Sequence, residues 1–127
     1  MLLVPTEIRS SPIHGTGVFL RAPVKKGAIV WHFDSRIDRI YTEDEFRSLP
    51  EIARTFVDMY GSWNEEARLW LFSGDGARHI NHSETPSLIS TGGFFSDDVA
   101  SRDLKASEEL TSDYRTICDI TAATGAL

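Results

Sequence analysis

The sequence predicts a mostly β fold with a small helical insert. Three observations carry this expectation. Short β-branched and aromatic runs, split by turn residues, fill the first forty positions and return after position 66. Between them, roughly 42–61 carries helix start and stop signals. With 127 residues, 41% of them apolar, the chain has enough for one modest core and one domain.

The elements follow in order. Leu2 to Ile8 is a strand candidate, and the Pro- and Gly-containing stretch Ser10 to Gly17 breaks the chain. Gly17 to Arg21 is a second strand. Val24-Lys25-Lys26-Gly27 turns the chain into a third, Ala28 to Phe33. Thr42-Glu43-Asp44-Glu45 fits a capping box, with Thr42 as N-cap and Glu45 reaching back. Ser48-Leu49-Pro50-Glu51 repeats the signature, with Pro50 early in a second helix, where its missing N–H does no harm. Ile52, Phe56 and Tyr60 recur along one helix face, and Gly61 ends the run. Strand character resumes at Ala67 to Phe72, followed by a hairpin-type turn at Ser73-Gly74-Asp75-Gly76. The last strands are expected near Ser87 to Thr91, Phe94 to Phe95 and Val99 to Arg102.

Composition narrows the function classes. Thirteen basic against nineteen acidic residues give a net charge of −6, which argues against direct nucleic-acid binding and suits a cationic partner or plain solubility. Cys118 is the single cysteine, so neither an internal disulfide nor a Cys-rich zinc cluster can form. The N-terminal residues lack the basic flank and apolar run of a signal peptide, and no apolar stretch is long enough for a membrane span. The expectation is a soluble intracellular protein, cytoplasmic if bacterial, with no membrane partner.

The most polar stretch is Arg78-His79-Ile80-Asn81-His82-Ser83-Glu84-Thr85-Pro86. On a strand His79 and His82 face opposite sides, and no further ligand stands at a familiar spacing, so no metal is expected. Ser83 directly after His82 is badly placed for a Ser–His pair, and there is no nucleophile elbow. His14-Gly15-Thr16-Gly17 lacks the third glycine of a dinucleotide fingerprint; it reads as a tight turn that could present backbone groups to a ligand. Tyr114, taken singly, reads as a half-buried anchor.

Taken together, these segments are more specific. Ser11-Pro12-Ile13-His14-Gly15-Thr16-Gly17-Val18-Phe19, Val24 to Val30, Arg78 to Pro86 and Arg102-Asp103-Leu104-Lys105-Ala106-Ser107-Glu108-Glu109-Leu110-Thr111-Ser112-Asp113-Tyr114 occur in this order. The chain thereby resembles the SET-domain protein lysine methyltransferases, from about Thr6 to Tyr114, with 115–127 as a C-terminal tail. The resemblance implies a single domain of short curved sheets with a C-terminal pseudoknot, in which 109–114 threads under 78–83. It implies transfer of a methyl group from S-adenosylmethionine to a lysine amine of a basic protein or peptide, leaving S-adenosylhomocysteine. By position, His14, Gly15 and Thr16 would contact the cofactor through their backbone, Asn81 and His82 would bind its amino group and adenine, and Arg78 matches a basic position that opens this motif. Tyr114 aligns with the family's essential tyrosine. Phe33, Trp31 and Phe94 are the candidates for the lysine channel, with Phe95 a further aromatic.

Two departures from the family pattern fall in turns: Ser87 stands where an asparagine is usual, and Ala106-Ser107 replaces Ala-Gly. A third is larger. Many relatives close the channel with a Cys-rich zinc segment, which 115–127 cannot form, so the tail or a second subunit in a homodimer is expected to do so. The competing reading is a SET-like module that binds cofactor or a basic peptide without turnover.

Overall fold

The computed structural model describes residues 1–94 and 96–117. Three small sheets organise them. The first starts as a hairpin of β1 (Thr6–Ser10) and β2 (Thr16–Leu20). The first strand begins later than expected, because Pro5 has no N–H to give a ladder; Arg21 N–H instead donates to the Pro5 carbonyl at 3.0 Å. Leu2 makes only an isolated bridge to Trp31.

The second sheet uses β3 (Ile29–Trp31), and the third begins with β4 (Arg39–Thr42). The chain then enters α1 (Glu43–Ser48), and the capping box is complete: Thr42 Oγ1 accepts from Glu45 N–H at 3.1 Å, and Glu45 Oε1 accepts from Thr42 N–H at 2.9 Å. The second signature does not cap. Ser48 closes α1 and donates to the Glu45 carbonyl, while Pro50 is itself the N-cap of α2 (Glu51–Tyr60) and makes no side-chain cap bond. Gly61 ends that helix as expected.

The buried residue of α2 is Val57; of the face read from the sequence, Ile52 is 84% exposed, while Phe56 packs against Tyr60 and Phe72 at the helix's C-terminal half. Val57 packs with Trp63 and Trp70 in a small satellite core. Trp63 belongs to β5 (Ser62–Asn64) and Trp70 to β6 (Leu69–Phe72), which with β4 form the sheet β4-β6-β5.

The expected hairpin turn at 73–76 is instead the entry to a short 3-10 helix, Gly76–His79. Asp75 redirects the chain there: Oδ1 accepts from Ala77 N–H and Oδ2 from Leu2 N–H. Then come β7 (Asn81–His82), β8 (Leu88–Ser90), β9 (Asp98–Ala100), β10 (Glu109–Ser112) and α3 (Tyr114–Ile117). Phe94 lies in a turn rather than a strand, and Phe95 lies outside the described residues.

Strand β10 joins the first sheet at its centre. It runs antiparallel to β2, with Leu110 opposite Val18, and parallel to β7, with Thr111 opposite Asn81. The order β1-β2-β10-β7 therefore brings the C-terminal segment against 78–83, the crossing that the sequence reading expected. The second sheet has the order β3-β9-β8. Val18, Leu20, Val30, Leu88, Ala100, Leu104 and Leu110 fill the main core between these two sheets. Burying each such side chain contributes about 1.5–3 kcal/mol, which fixes the sheets that frame the site. No described helix is long and apolar enough to cross a membrane.

Candidate functional site

The polar centre of the first sheet is Asn81, only 7% exposed. Its side-chain N–H2 donates to the His14 carbonyl at 3.1 Å, the Thr16 carbonyl at 3.0 Å and Glu109 Oε2 at 2.9 Å. Glu109 also accepts from the Ser11 hydroxyl at 2.8 and 2.9 Å. These bonds tie β7, β10 and the exposed loop 12–16 into one unit. Gly15 sits in that loop at φ +46°, where a β-carbon is disfavoured. Gly17 is required for a different reason: a β-carbon there would overlap the Glu109 carboxylate. Asn81 Oδ1 has no protein partner among the described residues. The asparagine thus positions the loop with its donors and keeps an acceptor for a ligand.

His82 links this loop to the C-terminal segment. Its Nδ1 accepts from Tyr114 N–H at 3.1 Å, which places the ring proton on Nε2. The two rings lie 5.2 Å apart. Asp113 stands beside them, its carboxyl held down at about 2 mainly by hydrogen bonds from Arg115, which keeps it charged at neutral pH. Tyr114 folds back so that its hydroxyl donates to the Ile80 carbonyl at 2.5 Å. That bond uses the hydroxyl's one hydrogen and fixes the ring at the cleft.

Tyr114 and Ile80 line a cleft of about 1050 Å³, together with Trp31, Phe94 and Arg78. The Arg78 guanidinium lies over Phe56 and Phe72, 5.6 Å from each ring, and meets no carboxylate among the described residues. It is available for a ligand's acid group.

The residues singled out in the sequence thus separate into two groups joined at His82–Tyr114. His14, Gly15, Thr16 and Asn81 form the loop side; Arg78, Trp31, Phe94 and Tyr114 form the cleft side. Phe33 is half-buried just after β3 and does not line this cleft. Among the described residues no group of three or more His, Cys, Asp or Glu is placed to hold a metal ion. The tail expected to close the channel, 118–127, lies outside the described residues.

Sequence reasoning missed Glu109 as the residue that fastens Asn81, although it stands inside the motif that carries the resemblance. It also missed Asp98, which lines the cleft and which no motif in the sequence marks. Ser87, noted as a turn change, is 1% exposed, and it exchanges two bonds with Thr111: Ser87 N–H to Thr111 Oγ1 at 3.0 Å, and Thr111 N–H to Ser87 Oγ at 2.8 Å.

The SET domain family model matches residues 15–115. The chain therefore belongs to the SET domain family. A search of curated proteins returns no match. Among solved structures, a protein of Plasmodium falciparum described as a histone methyltransferase matches with a TM-score of 0.63 at 20% identity, covering 89% of this chain and 95% of the other. A humanized mutant of the Chaetomium thermophilum Polycomb Repressive Complex 2, bound to the inhibitor GSK126, matches with a TM-score of 0.67 at 19% identity. That alignment covers 94% of this chain and only 16% of the other. At these identities the structures share the fold.

Proposed function

We propose that this protein transfers a methyl group from S-adenosylmethionine to the side-chain amine of a lysine in a basic protein or peptide. The observation that carries the reading is the placement of Tyr114. Its hydroxyl is fixed on the Ile80 carbonyl at the cleft wall, and its backbone N–H is fixed on His82, next to the loop that Asn81 holds.

S-adenosylmethionine, when bound, supplies an electrophilic methyl group on a positively charged sulfur. The donor set suits such a group. Arg78 would take its carboxylate, Asn81 Oδ1 its ammonium, and the exposed backbone of His14, Gly15 and Thr16 the rest of its amino-acid portion. His82, with Nε2–H outward, would contact the adenine. None of these groups needs to act as a nucleophile. The chain's own task is to orient an amine, exclude water and keep the amine uncharged. Lysine has a reference pKa of about 10.4, so it arrives as an ammonium and must lose a proton. The Tyr114 oxygen can accept from one N–H of the amine and so aim its lone pair. Trp31 and Phe94 supply apolar walls that disfavour the charged amine.

Titration calorimetry with S-adenosylmethionine tests the donor set. Wild-type protein should bind, and Arg78→Ala should bind about tenfold more weakly. Folded wild-type protein that takes up no cofactor would contradict the reading.

A further inference from the structure

The sheet β3-β9-β8 presents one row of side chains to the cleft. Asp98 pairs with Ser90 in regular antiparallel register, and with Trp31 across a register shift that follows the Ile29–Val99 pair. Residues opposed in regular register, as Asp98 and Ser90 are, project to the same face, and the shift at Trp31 re-aims that side chain. All three line the cleft that Tyr114 also lines.

The outer members of this row differ from the middle one. The Ser90 hydroxyl is engaged with the Ser96 hydroxyl at 2.7 Å and the Gly92 carbonyl at 3.1 Å. Trp31 is a large apolar wall. Asp98, between them, is half-buried, and among the described residues its carboxylate has no hydrogen bond and no ion pair. Its neighbour Asp97 shows the contrast, because its carboxylate meets His32 Nδ1 at 2.6 Å. A carboxylate withdrawn from water and left without a partner is unfavourable unless a cation comes to it. Burial, with repulsion from Asp97, pushes the Asp98 carboxyl up to about 7, against a weaker pull from the Met1 ammonium. The rest of the cleft carries the same sign of charge. Asp58 and Glu66 line it, and Arg78 is its one basic side chain among the described residues. Such a wall concentrates cations.

We propose that Asp98 is the residue that receives the substrate's cationic side chain on entry, holding it as an ammonium between Trp31 and Ser90 before it gives up its proton and moves to Tyr114. The identity of that cation as a lysine ammonium rests on the proposed function. A primary ammonium on an unbranched alkyl chain fits the row chemically: the carboxylate takes the charge and the Trp31 face packs along the methylenes. The anchor belongs to the β3-β9-β8 wall and is distinct from the groups assigned to the cofactor, Asn81, His82 and the loop backbone on one side and Arg78 in the cleft.

The test uses n-butylammonium chloride as a probe of the lysine side chain and 1-butanol as its neutral counterpart. Carbon-13 NMR follows the Asp98 carboxyl in wild-type protein, and calorimetry gives affinities for wild type, Asp98→Asn and Asp98→Glu. Butylammonium should move the Asp98 titration midpoint below about 7, and butanol should leave it in place. Asp98→Asn should bind butylammonium about tenfold more weakly, while Asp98→Glu stays within a few-fold of wild type. An unmoved midpoint, or equal butylammonium affinity in Asp98→Asn, would overturn the anchor. S-adenosylmethionine binding is measured in the same samples. Lost cofactor binding with intact butylammonium binding would sink the methyltransferase reading and leave the anchor standing; the reverse pattern would do the opposite.

Discussion

The two sides of the site are built on opposite principles. On the loop side, polar groups are paired inside the protein: Asn81 donates to two carbonyls and Glu109, Glu109 accepts from Ser11, and His82 accepts from Tyr114. On the cleft wall the hydroxyls of Tyr114 and Ser90 are paired too, but among the described residues two charged side chains, Asp98 and Arg78, are left without an ion pair. Internal pairing fixes a backbone shape, whereas unpaired groups facing a cleft are what a ligand can complete. The loop side should therefore be fragile to substitution in stability, and the wall fragile in binding.

That comparison can be broken at the loop first. Asn81→Ala removes a buried donor set, leaving the Glu109 carboxylate to Ser11 and the His14 and Thr16 carbonyls without their donor, and should cost about 2–3 kcal/mol in urea unfolding. A loss near zero would mean that the bonds at Asn81 do not hold the loop. Gly17→Ala forces a β-carbon onto Glu109 and should cost about 2 kcal/mol by the same measurement.

The wall should respond with the opposite sign. The Asp98 carboxyl rises from the ordinary 3.8 to about 7 on folding. The folded state then keeps a proton that the unfolded state has already lost. Its contribution to stability is full below the unfolded value and is lost as pH rises through about 7. Asp98→Asn removes that loss, so at pH 8 it should be more stable than wild type by about 1–2 kcal/mol, with the gain fading below about pH 4. Thermal melts of both proteins across this range check it; a variant less stable than wild type at pH 8 would show that Asp98 is satisfied after all. Asp34 and Asp113, both lowered by arginine partners, act oppositely at acid pH in both proteins and cancel in the difference.

The smallest effect lies outside both sides. Ser107 occupies φ +70°, where the family's usual glycine would be unstrained. Ser107→Gly should stabilise by about 0.5 kcal/mol, net of the added freedom of the unfolded chain.

The legible parts of the molecule were local ones. The Thr42–Glu45 capping box is written in four residues and formed as read. The placement of β10 against 78–83 was not written in any one segment; the family resemblance implied it, and β10 pairs with β7 there. The strands Arg39–Thr42 and Ser62–Asn64 were missed because they are short and mix charge with aromatics; their pairing with Leu69–Phe72 is what makes them strands. The Ile52–Phe56 stripe looked like a core face, yet tertiary packing chose Val57. The site divides in the same way. Asn81, His82 and Tyr114 were singled out through the family resemblance, since Tyr114 alone reads as an anchor, and the His82–Tyr114 contact follows from the crossing strands. Asp98 is indistinguishable from a solvated acid until the ladder register puts it beside Trp31 and Ser90.

The central claim is that Tyr114, held by Ile80 and His82, serves a methyl transfer to lysine. The most direct measurement incubates wild type and Tyr114→Phe with S-adenosylmethionine carrying a labelled methyl group and with a panel of basic proteins. Phenylalanine keeps the ring against His82 and the N–H bond to it, and removes only the hydroxyl. The account predicts label on lysine with wild type and a fall of about a hundredfold or more with Tyr114→Phe. Equal labelling by the two proteins would contradict it.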